Sequence, residues 1–297
     1  MKKYVYLFIA LVFNMACEDV IEVDLPDEET RLIVDALIRV DETQPFLPIE
    51  VKLSLSSNFF EENVPTSAES VVISYSETID DIVVETRSSS LAETSPGSGI
   101  YVPDPNFSSD QRIPSAVLSR NFVYELYVRH QNRLYIASTK YVPTTPINRI
   151  SQGTTTLFDE DETEVVVNFT DDPERNDFYL FDFGFGEYLV TEDEFYQGQE
   201  FEFSYFYDQQ FFPGTIIEIS IMGTDQSFYN YMDQLIEQSG DTQGPFQIPV
   251  STVRGNVFDI TDLDNIDVID NVDQPNVFPL GYFAIVQEFT SNIVIGE

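Results

Sequence analysis

The chain has 297 residues, 52 of them acidic and 14 basic, with one histidine and one cysteine, for a net charge of −38. Such a surface repels nucleic-acid phosphates and anionic lipid, and a single cysteine and histidine cannot build a Cys/His zinc site or an intrachain disulfide. A hydrophobic share of 42 % over this length supports one large or two ordinary domains with real cores.

The first stretch, Met1 to Asp19, has the order of an export signal: Lys2 and Lys3, then the apolar run Tyr4 to Phe13, then Asn14-Met15-Ala16 before Cys17. The run is too short to cross a bilayer, which needs roughly twenty residues. A lone cysteine directly after the apolar run resembles a bacterial lipoprotein signal, which would make residues 1–16 a signal peptide and Cys17 the lipid attachment point, with palmitate among its acyl chains. The alternative is an ordinary secreted protein with an incidental cysteine. Glu18 and Asp19, followed by Glu22 and Asp24, resemble the surface-export tag of Bacteroidota lipoproteins. Residues 17–30 then read as an acidic tether, and the expected location is the outer membrane, lipid-anchored and facing the cell exterior.

After the tether the pattern is that of strands. Arg31 to Val40 reads as the first. Pro48 to Ser56 alternates Ile49, Val51, Leu53 and Leu55 against polar residues, the period of a half-buried strand. Ser70 to Ser76 and Ile82 to Thr86 follow, then the turn Ser95-Pro96-Gly97-Ser98-Gly99. Phe122 to Val128 alternates again, His130-Gln131-Asn132 forms the expected hairpin tip, and Leu134 to Thr139 returns. This spacing suggests an immunoglobulin-like β-sandwich over residues 31–145. Tyr124-Glu125-Leu126-Tyr127-Val128 resembles the penultimate strand of such domains, which implies a tyrosine capping a corner.

Val142-Pro143-Thr144-Thr145-Pro146 reads as a domain boundary, since two prolines remove donors and force extended geometry. Residues 146–297 form a second, aromatic-rich β domain, so that the whole chain is expected to be mainly β, two sandwich-like domains in tandem. Strands are expected at Glu164 to Thr170, Phe178 to Phe185, Glu200 to Tyr207, Ile216 to Met222, Tyr282 to Val286 and Asn292 to Ile295. Phe201, Phe203, Tyr205 and Tyr207 share one face, as core or as a platform for a sugar ring; core is the better reading without tryptophan. The spacing of Phe228, Tyr231, Met232, Leu235 and Ile236 predicts one amphipathic helix over 224–239, capped by Thr224 or Asp225 and stopped at Ser239-Gly240.

Few residues propose chemistry. A Ser-His-Asp or Cys-His arrangement would have to use His130, and no phosphate-cradling glycine loop is present. The loop Asp259 to Asp273 carries Asp262, Asp264, Asp267 and Asp270, candidate ligands for calcium, the one cofactor the sequence raises. It lacks the EF-hand order, and Ile260, Leu263, Ile266, Val268 and Ile269 between the acids favour a loop that packs its apolar residues with the aspartates outward. Among so many acids no pair is marked out for glycoside hydrolysis. Arg129, His130 and Arg133 make a basic hairpin tip that either meets an acidic partner or relieves local repulsion.

Several segments together resemble a known family. They are Arg31-Leu32-Ile33-Val34-Asp35 after the cysteine; Tyr135-Ile136-Ala137-Ser138-Thr139 followed by Pro143 and Pro146; and the helix followed by Gly244-Pro245-Phe246-Gln247-Ile248-Pro249, Gly255-Asn256-Val257 and Leu280-Gly281-Tyr282-Phe283. The chain thereby resembles Bacteroidota outer-membrane lipoproteins catalogued as a domain of unknown function and typically associated with TonB-dependent receptors. The resemblance implies no catalytic residue. The expectation is a non-enzymatic accessory or binding subunit of an outer-membrane β-barrel complex, either a TonB-dependent transporter or envelope assembly machinery. It would contact membrane lipid through its acyl anchor and no nucleic acid. The alternatives are a stand-alone lipoprotein that captures glycan or peptide, and a hydrolase.

Overall fold

The computed structural model describes residues 30–57, 62–80, 82–158, 161–239, 252–261 and 278–296. They are mainly β and sandwich-like, as the alternating patterns imply. In chain order the strands are β1 (Leu32–Val40), β2 (Val51–Leu55), β3 (Val64–Pro65), β4 (Ser70–Ile79), β5 (Ile82–Glu93), β6 (Ile100–Pro103), β7 (Phe122–His130), β8 (Arg133–Val142), β9 (Ile147–Gln152), β10 (Thr163–Thr170), β11 (Phe178–Asp182), β12 (Tyr188–Glu192), β13 (Glu200–Tyr207), β14 (Ile216–Thr224), then helix α1 (Gln226–Ser239), β15 (Val257–Asp259) and β16 (Leu280–Val294).

The first half is a ring of strands. The order β1-β2-β6-β5-β4-β7-β8 returns to β1 through β16, which pairs parallel with both β1 and β8. Alternation puts Leu32, Val34, Ala36, Ile38 and Val40 of β1 inside, facing Phe122, Tyr124, Leu126 and Val128 of β7. The tip between β7 and β8 is a two-residue turn with Gln131 at φ 51° and Asn132 at φ 62°, the left-handed geometry that matches strand twist in a tight hairpin. Tyr124 corrects one expectation: it caps no corner. It sits mid-strand between Tyr75 and Phe122, and its hydroxyl is buried without a hydrogen-bond partner.

The second half is two facing layers with a helix outside. The sheet β13-β10-β9 packs on β12-β11-β14-β16 around Val165, Val167, Phe169, Tyr179, Phe181, Ile219 and Ile221. Phe201, Phe203, Tyr205 and Tyr207 belong to this core, with the Tyr205 and Phe183 rings stacked at 3.8 Å. β11 reads as a continuous apolar run because both its faces are covered: Tyr179 and Phe181 face the opposing sheet, while Leu180 faces α1 with Met222, Phe228 and Tyr282. Asp225 is the helix cap, its Oδ1 accepting the Phe228 N–H at 2.7 Å.

β16 joins the halves. Its register runs along β1 from Ile33–Leu280 to Val40–Gln287, then along β14 from Met222–Glu288 to Ile216–Val294. The sequence suggests two separate strands here, interrupted by polar residues; instead one strand of 15 residues runs through. The interrupting residues are satisfied at the junction: Gln287 Oε1 accepts the Thr144 N–H at 2.8 Å, and Glu288 meets Arg39. Gly281 is required where β16 meets β1, because its φ is +94° and a Cβ would lie 1.9 Å from the Val34 carbonyl oxygen.

Candidate functional site

The register fixes the placement of two surface features. β1 and β16 both start at one pole, next to Thr30, where the expected tether enters. At about 3.3 Å per residue, the 15 residues of β16 span roughly 50 Å toward the opposite pole.

The distal pole is an apolar cap. It is built from four loops at the far ends of β9–β10, β11–β12, β13–β14 and β16. Phe158 is 95 % exposed, Phe212 85 % and Phe185 62 %, with Leu157, Ile216 and Val294 also exposed. Local chemistry forces these residues outward: Phe185 has φ 56° between Gly184 and Gly186, and Phe212 precedes the turn Pro213-Gly214. Phe211 links the cap to the core, its ring 5.2 Å from Phe185 and 5.0 Å from the buried Tyr207. Carboxylates brace the loops. Glu164 accepts the Thr155 N–H at 2.8 Å and hydroxyls from Thr155 and Ser204, which hold it below the usual carboxylate range. Glu162 accepts the Leu157 N–H at 2.5 Å. Beside the cap lies a cleft of about 490 Å³ lined by Gln152, Thr154, Thr155, Gln210, Phe211 and Phe212. Loops 153–163, 183–187 and 208–216 contain no Lys, Arg or His and several acids. The cap is therefore an apolar patch with a purely acidic rim, of the kind that marks a binding surface. A smaller exposed apolar group, Ile79, Ile82, Val83 and Val84, sits at the β4–β5 hairpin tip.

The tether pole is different. A cavity of about 210 Å³ is lined by Arg31, Gln131, Arg133, Tyr135, Asp259 and Phe278, with His130 and others. Arg133 pairs with Asp259 at 2.8 Å, so the basic hairpin tip is tied to the start of the acidic loop within the same chain. His130 Nε2 bonds the Thr66 hydroxyl at 3.0 Å, and burial holds its pKa below the ordinary histidine value. Arg31 and Arg254 both stack on Phe278, at 4.1 and 4.0 Å from the ring centroid.

Cys17, Glu18 and Asp19, like the candidate calcium ligands Asp262, Asp264, Asp267 and Asp270, lie outside the described residues. Among the described residues no group of three or more His, Cys, Asp or Glu is placed to hold a metal ion. Sequence reasoning missed the cap, although phenylalanines flanked by glycine and proline turns were a usable signal. It also missed the Arg31–Phe278–Arg254 stack, whose members are far apart in the chain.

Three segments of the family resemblance, around Ser138, Gly255-Asn256 and Gly281–Phe283, meet in one structural clasp, while Gly244 to Pro249 lies outside the described residues. Asn256 Oδ1 accepts the Phe283 N–H at 2.8 Å, while its Nδ2 donates to the Phe283 carbonyl at 2.8 Å and the Ser138 carbonyl at 3.1 Å. The amide thus fills the gap between β8 and β16. A Cβ on Gly255 would lie 1.6 Å from the Gly281 carbonyl oxygen, so the two glycines mark the close backbone approach beside it. A family model described as "Domain of unknown function (DUF4249)" matches residues 18–266, most of the chain, and the chain belongs to that family. A search of curated proteins finds no match.

Proposed function

From that membership and this geometry, we propose that the protein is a surface-exposed, lipid-anchored, non-catalytic subunit that binds and positions a component of an outer-membrane β-barrel complex. A TonB-dependent transporter or an envelope assembly machine would be that complex. The observation that carries the reading is the distal cap. Phe158, Phe185 and Phe212 are presented on braced loops at the pole farthest from Thr30. A protein tethered through Cys17 would hold this cap away from the lipid and toward a partner. The acidic rim selects a partner surface with an apolar centre and basic edges. Native pull-down from outer membranes tests it. Wild type should retain a barrel subunit that Phe185→Ser/Phe212→Ser loses, with unchanged melting temperature. Equal recovery by the double variant would overturn the reading.

A second reading, capture of a glycan, is favoured by the threonine- and glutamine-lined cleft beside Phe211 and Phe212. Stacking of a sugar ring on an exposed phenyl, with hydroxyls bonded by Thr and Gln, is the chemistry it would use. Saturable oligosaccharide binding that survives without any barrel partner would select this reading over the first.

A further inference from the structure

We propose that the cavity at the tether pole binds a phosphate group, free or carried on a lipid headgroup. Arg31 lies in the lining of this cavity, and its charge is left open by the groups around it. Its Nε is buried without a hydrogen-bond partner, and no carboxylate among the described residues pairs with it. A buried unsatisfied donor is costly, and a charged one more so. The Arg31 guanidinium lies over the Phe278 ring, a contact that restricts its position before any ligand arrives. Arg254 lies over the same ring, 4.0 Å from its centroid, which further fixes the position of Phe278 in the lining.

The rest of the lining sets donors beside the apolar Leu32, Leu55, Phe278 and Pro279. Gln131 offers a side-chain amide. Burial raises the Tyr135 hydroxyl above the usual phenol range, so it stays protonated and able to donate. The lining acid, Asp259, is already held by Arg133 and by the Thr261 N–H at 2.9 Å. Donors converging from several elements suit a tetrahedral oxyanion, and a volume of about 210 Å³ exceeds what a lone carboxylate fills. The chain as a whole repels anions, but at physiological ionic strength charges beyond about 8 Å are screened, and the local donors decide.

The full chain in detergent is titrated at physiological salt with inorganic phosphate and, separately, with dihexanoyl phosphatidic acid, following melting temperature and heat of binding. Saturable stabilisation is expected, weakened at least tenfold in Arg31→Gln and unchanged in Arg149→Gln, whose arginine is exposed on the other half and pairs with Glu202. Gln131→Ala, at an exposed turn, should weaken it a few-fold, which keeps the test decisive if Arg31→Gln fails to fold. Tighter binding of the lipid phosphate assigns the site to headgroups; equal or weaker binding assigns it to free phosphate. No saturable response to either probe, or a response that Arg31→Gln and Gln131→Ala leave intact, overturns the proposal.

Discussion

Removing the Asn256 amide should open the seam between β8 and β16. The side chain makes two hydrogen bonds to the Phe283 backbone and a third to Ser138, and Phe283 is fully buried. In Asn256→Ala the Phe283 N–H and C=O lose their partners where water has little access, at about 1–1.5 kcal/mol each, while the Ser138 carbonyl can turn to solvent at about 0.5 kcal/mol. The sum is about 3 kcal/mol. For a chain of this size each kcal/mol lowers the melting temperature by about 2–4 °C, so the expected loss is about 6–12 °C by calorimetry or circular dichroism. Asn256→Asp sharpens the test. It has the same shape and still accepts the Phe283 N–H, but sets a carboxylate oxygen against two carbonyl oxygens. It should therefore melt no higher than Asn256→Ala. An Asp variant within about 2 °C of wild type would refute the argument, because packing and not the amide's donors would then hold the seam.

Arg39 on β1 reaches Asp182 at 2.6 Å and Glu288 at 3.3 Å across the junction of the two halves. Arg39→Met should cost about 2 kcal/mol in urea denaturation after allowance for its partial exposure, with part of the loss recovered by salt; a neutral result would show the junction is held by β16 alone. Burial holds the His130 pKa below its ordinary 6.5, so the unfolded chain binds the proton more readily and stability falls as pH drops through that value. His130→Gln should flatten the fall between about pH 7 and 5.5, and parallel curves for the two proteins would remove histidine from the account. The acidic loop, read as packing its apolar residues, should give no saturable rise in melting temperature with calcium; a rise abolished by Asp264→Asn and Asp267→Asn would show instead that it is a site.

Much of the fold was legible because alternation reports burial directly. Phe122 to Val128 and Glu200 to Tyr207 show this, the latter matching β13 to the residue. The helix was legible from its stripe and cap. What escaped were features that depend on distant partners. Gln287 and Glu288 look like loop residues until Thr144 and Arg39 are placed against them. Short strands such as β6 and β12 have too few residues to show a period. Tyr124 carries the local sequence of a corner tyrosine, yet its hydroxyl meets only core side chains. Of the candidate site, the acids were legible and the geometry was not. Phe185 and Phe212 look like core residues by type, and only their turns reveal that they point outward. Arg31 and Phe278 lie at opposite ends of the chain, and nothing local couples them.

The pairing of β1 with β16 also sets an order of events during synthesis. Ile33 meets Leu280 and Val40 meets Gln287, so the first strand's parallel neighbour is the last strand to be made. Until it arrives, β1 exposes one unpaired edge, and the ring of the first half stays open between β1 and β8. Contacts this distant in sequence carry a large loop-closure cost and fold slowly. The N-terminal half therefore cannot complete itself while the ribosome is still adding the C-terminal half.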